Sequence, residues 1–251
     1  MNRSNIEFCD YTWNPIVGCE FSCSYCYARR FNARFNKASD FDIPVFHPER
    51  LALPYKFKKP SKIFVGSMAD IFSFSVKNSW IEQILKVVRE NPHHTFQFLT
   101  KCPKHYQKYD FPKNVWLGTS IASGENIGER QRISDLTSCG CQYISFVLVE
   151  PLLGDMTWVD FSAVDFLYVG AMTGPRAIAP TLEWIRSIKH HNIFWKENIR
   201  RFLHCAACGK TATHMYDDHY CDVFCDECWD KVKDSTRTSR FIFAKSYNKH
   251  L

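Results

Sequence analysis

The stretch Gly18-Cys-Glu-Phe-Ser-Cys-Ser-Tyr-Cys-Tyr-Ala-Arg-Arg30 sets three cysteines, Cys19, Cys23 and Cys26, at intervals of four and three positions, with Tyr25 directly before the last. Three thiols in so short a span fit three readings. They are an incomplete zinc site, half of a disulfide framework, or three legs of a centre that takes its fourth ligand from elsewhere. A structural zinc site takes four protein ligands, and no histidine follows close behind these cysteines. Iron-sulfur clusters are held by cysteine thiolates in short loops, and three protein anchors leave one iron open to a small molecule.

The rest of the chain narrows the setting. The 251 residues hold twelve cysteines, fewer for the length than a small secreted disulfide scaffold carries, so clustered cysteines point to metal in a reducing compartment. The first twenty residues include Arg3, Glu7 and Asp10 and lack a signal-type apolar core. No apolar run reaches the ~18 residues of a membrane helix. The expectation is a soluble, cytoplasmic protein with no membrane partner. The formal charge is +6, and the segment Trp229–Leu251 carries six cations against two anions, interleaved with Phe241, Phe243 and Tyr247. Cations beside aromatics suit phosphates and stacked bases, so nucleic acid is the partner this tail favours. A solvated tail accounts for the same residues equally well.

Short apolar runs recur from Lys62 (KIFVGS), Thr95 (TFQFLT), Val115 (VWLGTS), Tyr143 (YISFVLVE), Phe166 (FLYVGA) and Asn192 (NIFWK). Apolar residues at consecutive positions read as strands buried on both faces. A further strand around Asn14 to Gly18 would lead into the cysteines. Between strands lie helical patterns. Ser79 and Glu82 form a capping-box pattern ahead of the face made by Ile81, Ile84, Leu85 and Val88, and Asn91-Pro92 ends it. Thr181 is a candidate cap for a second helix with Leu182, Ile185 and Ile188 on one side. Repeated strand then helix predicts right-handed βαβ units and a parallel α/β sheet, either a complete or partial barrel or an open doubly wound sheet. In each of these the chemistry sits at the carboxyl ends of the strands. Here those ends read Gly66-Ser67-Met68-Ala69-Asp70, Thr100-Lys101, Thr119-Ser120, Glu150-Pro151 and Gly170 to Gly174.

After Arg201 the pattern changes. Cys205-x2-Cys208 and Cys225-x2-Cys228 are sixteen residues apart, a spacing that reads as a zinc ribbon, although an iron-sulfur cluster or a role for Cys221, His214 or His219 also fits. The expected division is a catalytic domain over 1–203 and a cysteine-rich module with a basic aromatic tail over 204–251.

The cysteine spacing with Tyr25 resembles the signature of the radical S-adenosylmethionine (SAM) superfamily. The segments TWNPIVGCEFSCSYCYARR, IFVGSMADIF, FLTKCP, VWLGTSI, VEPLLGDM and FLYVGAMTGPRA together are similar to the phage Gp37/Gp68-type (DUF5131-like) radical SAM proteins over roughly residues 7 to 200. The resemblance implies a partial (β/α)6 TIM-type barrel with Cys19, Cys23 and Cys26 holding a [4Fe-4S] cluster. Its open iron would chelate SAM, which one electron cleaves to a 5'-deoxyadenosyl radical. It implies further that Tyr25 lies against the adenine, that Gly66, Ser67 and Asp70 meet the methionyl part, and that Ser120 meets the ribose. Arg132 would pair the SAM carboxylate. Lys101, Glu150 and Lys196 would point to the barrel mouth. A helix cap is the plain alternative for Asp70, and a surface charge for Arg132. The expected activity is a radical SAM isomerase acting on an amino-acid-adducted thymine in phage DNA, in the host cytoplasm, with a reductant such as flavodoxin or ferredoxin. RNA base modification, lyase-type DNA repair and a non-catalytic metal-containing nucleic-acid-binding protein are the alternatives. Relatives often end soon after the strand at Asn192, so the resemblance is silent on the ribbon.

Overall fold

The computed structural model describes residues 1–35, 40–140, 142–203, 209, 216–217, 223–224 and 228. In chain order the strands and helices are β1 (Asn2–Arg3), β2 (Tyr11–Trp13), β3 (Ile16–Val17), α1 (Tyr27–Phe35), β4 (Val45–Phe46), β5 (Lys62–Val65), α2 (Asn78–Glu90), β6 (Thr95–Thr100), β7 (Val115–Ile121), α3 (Ile127–Thr137), β8 (Ile144–Val149), β9 (Phe166–Val169), α4 (Leu182–Ser187), β10 (Ile193–Trp195), α5 (Glu197–Arg200), β11 (Tyr216–Asp217) and β12 (Val223–Phe224). The chain divides into two compact units. The first is Met1–Ser120 with Ser134–Ser145, and the second is Ile121–Ile133 with Phe146–Leu251.

In the first unit the strand order is β1-β2-β5-β6-β7. Only the β1–β2 pair is antiparallel; β2, β5, β6 and β7 run parallel, with Trp13 opposite Val65, Val65 opposite Phe98, and Phe98 opposite Leu117. Six of the seven residues of β7 are buried, which is what a parallel strand covered on both faces requires. One face of β6 is aromatic. Phe96 meets Trp13 edge-on at 5.9 Å and Phe98 meets Phe72 at 5.5 Å, and Phe72 also contacts Tyr106, Tyr109 and Phe111.

The first strand of the parallel set differs from the sequence expectation. Asn14 to Gly18 does not enter this sheet. Tyr11–Trp13 does, and Pro15 separates it from Ile16–Val17, which pairs antiparallel with Val45–Phe46. A proline lacks the N–H that a continuing strand needs. α2 also begins otherwise than the capping-box pattern implies. Its N-cap is Lys77, which makes no side-chain cap bond, and Ser79 lies inside the helix, where its carbonyl accepts from Gln83 Nε2. The apolar face is as expected, with Ile81, Ile84, Leu85 and Val88 all buried, and Asn91 is the C-cap, its Nδ2 donating to Val87 O at 2.8 Å.

In the second unit β8, β9 and β10 are parallel, with Leu148 opposite Tyr168 and Tyr168 opposite Phe194. α4 is capped by Thr181, whose Oγ1 accepts from Trp184 N at 3.2 Å, and Ile185 and Ile188 are buried. Strand-helix alternation therefore produces parallel α/β structure in each unit. Of the cysteine-rich module, the backbone shows β11 and β12 as an antiparallel pair. Cys205, Cys208, Cys225, Cys221, His214, His219 and the tail from Trp229 lie outside the described residues; Cys228 is half-buried. Among the described residues no helix is long and apolar enough to cross a membrane.

Phe72 is the hub of the aromatic layer and is buried. Phe72→Ala is expected to lower stability by about 4 kcal/mol, read as a shift of the urea midpoint, since a large cavity opens among rings that cannot close over it. An unchanged midpoint would show that this layer does not carry the unit.

Candidate active site

The cysteine loop of the first unit leaves β3 at Gly18 and ends where α1 begins. Gly18 takes φ +103°, donates from its N–H to Met68 O at 3.0 Å, and has no room for a side chain, since a Cβ would lie 2.5 Å from Ile43 O. Cys23 and Cys26 close a turn through Cys26 N to Cys23 O at 3.1 Å. All three thiols are half-buried and free. Burial pushes the Cys19 thiol up to about 11, an effect that the nearby backbone N–H groups of Phe21 and Asp70 partly offset.

Asp70 is buried, and its carboxylate is turned inward. Oδ1 accepts from Thr100 Oγ1 at 2.6 Å and Phe72 N at 3.2 Å, and Oδ2 accepts from Lys101 N at 2.8 Å. Burial raises its pKa, opposed by those donors and by the Lys101 charge. It is neither a plain helix cap nor a group presented to solvent; it braces the turn after β5 against the end of β6. Gly66 has φ +81°, and a Cβ there would strike Ile71 at 2.7 Å. Ser67 Oγ donates to Asn14 Oδ1 at 3.1 Å, and Ser67 O accepts from Tyr27 OH at 2.5 Å.

Lys101 gathers the remaining residues of this unit. Its Nζ lies 3.1 Å from Tyr25 OH and 3.3 Å from Ser120 Oγ, and 5.5 Å from the Tyr25 ring centroid. Tyr25, Lys101 and Ser120 thus form one polar patch, anchored to Asp70 through the Lys101 backbone. Asn14 and Tyr27, which bond to the turn Ser67–Met68, were missed from sequence. Asn14 ends the TWN run quoted above, so its place at a strand end was the available signal.

The second unit holds a separate group. Lys196 Nζ lies 2.7 and 2.6 Å from the two oxygens of Glu150, and Asn198 Nδ2 donates to Glu150 Oε1 at 3.0 Å and to Ala171 O at 2.9 Å. The carboxyl ends of β8, β9 and β10 supply these atoms. A Cβ on Gly170 would lie 2.6 Å from Glu150 Oε1, so glycine there is what lets the carboxylate lie flat over β9. Asn198 was not singled out from sequence; only its spacing of two from Lys196 marks it. Arg132 is tied to its own helix, with Nη1 3.5 Å from Glu129 Oε1. Glu129 is itself buried and accepts from Ala122 N at 2.6 Å and Ser123 N at 3.0 Å.

Among the described residues no group of three or more His, Cys, Asp or Glu is arranged around a single ion. The loop does fit a larger sulfur-rich group. It carries three free thiols, one accepting from Arg29 N. The Arg29 side chain has a buried Nε–H that finds no acceptor among the described residues.

Fold and loop define an α/β protein with parallel strands and a three-thiol loop following the first of them. Comparison with known proteins places it further. The family model described as DUF5131, a protein of unknown function, matches residues 3–203, and the chain belongs to that family. No curated protein matches the sequence. Among solved structures the chain is similar to spore photoproduct lyase complexed with dinucleoside spore photoproduct, at 13% identity and TM-score 0.50, over 68% of this chain and 58% of that one. It is also similar to a cysteine-to-alanine mutant of spore photoproduct lyase with dinucleoside spore photoproduct, at 12% identity and TM-score 0.51, over 93% of this chain and 73% of that one. A third structure of that lyase, with bound AdoMet and the same dinucleoside, matches at 12% identity and TM-score 0.50, over 68% of this chain and 58% of that one. The present chain therefore spans less than two thirds of the length of the first of these.

The Glu150–Lys196 pair is only 21% and 12% exposed in its side chains. Lys196→Met, which leaves the carboxylate without its cation, is expected to cost about 3 kcal/mol, and the Glu150→Gln, Lys196→Met double variant less than that. Chemical denaturation of the set measures the coupling, and additive losses would deny it.

Proposed function

We propose that this protein is a radical SAM enzyme acting on a base in DNA. The observation that carries the reading is the loop of three free thiols after the first parallel strand, in a chain with the fold of spore photoproduct lyase. Cys19, Cys23 and Cys26 hold a [4Fe-4S] cluster, and a flavodoxin- or ferredoxin-type protein is the class of reductant. When bound, the cluster and SAM supply a 5'-deoxyadenosyl radical, the reagent needed to break an unactivated C–H bond.

The chain's own residues supply placement. Tyr25 offers its ring, with its hydroxyl at Lys101 Nζ. Lys101 brings a positive charge beside the Ser120 hydroxyl, a pair suited to the carboxylate and ribose of SAM. Gly66 permits the turn that presents Ser67, and Asp70 fixes the Lys101 backbone at the end of β6. Asp70 thus works through its neighbours. Arg132, paired with Glu129, reaches the SAM carboxylate in this reading only by exchanging that partner. Glu150 and Lys196 orient polar groups of the substrate. We read the parallel strands as a partial (β/α)6 barrel over 1–203. The module over 204–251 is read as a zinc ribbon on Cys205, Cys208, Cys225 and Cys228, carrying a DNA-binding tail.

For the substrate, the resemblance to phage Gp37/Gp68-type proteins favours isomerisation of an amino-acid-adducted thymine during DNA hypermodification. The likeness to structures holding dinucleoside spore photoproduct favours a second reading, lyase-type repair of a thymine lesion.

Protein reconstituted anaerobically with iron and sulfide is expected to show a visible iron-sulfur absorption that SAM perturbs, and to release 5'-deoxyadenosine on reduction. Cys23→Ala should lose both iron and product; retention of both by that variant would overturn the assignment. Deuterium carried from labelled DNA into 5'-deoxyadenosine decides between substrates. Transfer from the adduct favours the isomerase, transfer from a dithymine lesion favours the lyase, and transfer from neither rejects both.

A further inference from the structure

We propose that Arg29 and Asp42 form a strap that positions the thiolate loop and sets the charge around it. This inference rests on reading Cys19, Cys23 and Cys26 as cluster ligands. The loop from Gly18 to Cys26 has no helix or strand of its own, so its shape is imposed by what it leans on. The segment Asp40–Ile43 supplies one wall. Phe41 O accepts from Cys19 N at 2.7 Å, and Ile43 O crowds Gly18 closely enough to exclude a side chain.

Arg29 ties the two ends of the loop to that wall. Its backbone N–H donates to Cys26 Sγ at 3.3 Å. Its side chain extends the other way, where Nη2 lies 3.4 Å from Cys19 O, 3.4 Å from Phe21 O and 2.5 Å from Asp42 Oδ1. The guanidinium stands 5.4 Å from the Phe41 ring centroid. One residue therefore touches the third cysteine with its main chain and the first with its side chain. The carbonyl contacts are long and the carboxylate contact short, so Asp42 fixes the guanidinium and the guanidinium then holds the loop carbonyls.

An exposed ion pair is the plain alternative, and such a pair stabilises a fold by less than about 1 kcal/mol. Three features separate Arg29 from it. The side chain bridges two loop carbonyls, its Nε–H is buried with no acceptor among the described residues, and its backbone N–H donates to Cys26 Sγ. A cation beside an iron-sulfur centre favours the reduced, more negative state, and a neighbouring carboxylate opposes it.

Arg29→Gln is therefore expected to move the midpoint potential of the loaded protein to more negative values, and Asp42→Asn to more positive ones. Arg29→Lys keeps the charge but not the fork, so it should keep the wild-type potential. Both Arg29 variants should release iron to a chelator on the order of tenfold faster than wild type. EPR-monitored redox titration and chelator kinetics on the full chain measure these without SAM cleavage. Opposite potential shifts with faster iron release support the strap. Wild-type potential and iron retention in all three loaded variants overturn it while leaving the proposed function standing. Failure of the wild-type chain to bind iron overturns the function and the strap with it. If Arg29→Gln takes up no iron, the Arg29→Lys and Asp42→Asn values decide, since a merely structural residue would not move the potential upward on losing Asp42.

Discussion

The first unit is organised around one buried carboxylate. Removing a carboxyl group from water is costly unless hydrogen-bond donors replace the solvent, and Asp70 receives three. Those donors come from its own turn and from Thr100 and Lys101 at the end of β6, so satisfying its oxygens brings the end of one strand to the loop that follows its neighbour. The Gly18 N–H, donating to Met68 O in the turn that Asp70 braces, extends the same constraint to the cysteine loop. Lys101 is consequently positioned by its backbone before its side chain makes any contact. Gly66 is part of this solution, because only a residue without Cβ takes its φ beside Ile71.

The second unit solves a similar problem with a pair of opposite charges. Glu150 follows β8, Lys196 follows β10, and Asn198 spans between them by donating to Glu150 and to Ala171 O after β9. Parallel strands deliver their carboxyl ends to one edge, so three segments distant in sequence converge without a long loop. Gly170 removes the side chain that would keep the carboxylate away.

The strands and their ends were legible because burial on both faces leaves runs of consecutive apolar residues, as in β6 and β7. The apolar face of α2 was legible from its spacing, whereas its start was not. The signal at Ser79 and Glu82 was local, and the helix starts two residues earlier, with Ile81 and Ile84 buried on the same face. The first strand was misplaced because Ile16 and Val17 have strand character and do form one, with Val45 and Phe46; Pro15 decides which sheet they join. At the site, single residues at strand ends could be found by type and place. Pairings could not, since nothing local joins Asn198 to Glu150 over 48 positions or Arg29 to Asp42 over 13.

The same difference separates the fold from the chemistry it carries. At 12–13% identity the likeness to spore photoproduct lyase concerns architecture, which many chemistries share. The cysteine spacing concerns chemistry and does not require a barrel. The two meet at a particular place. The thiols lie in the loop that leaves β3, after the first parallel strand β2, and the Gly18 N–H at the start of that loop donates to Met68 O in the turn that Asp70 braces against the end of β6, where a parallel α/β sheet binds its ligands. A structural metal knuckle needs only its own ligands and has no use for Lys101, Tyr25 and Ser120 gathered beside it. The redox centre proposed above would need them, because its open position is useful only if the surrounding donors hold a bound small molecule in one pose.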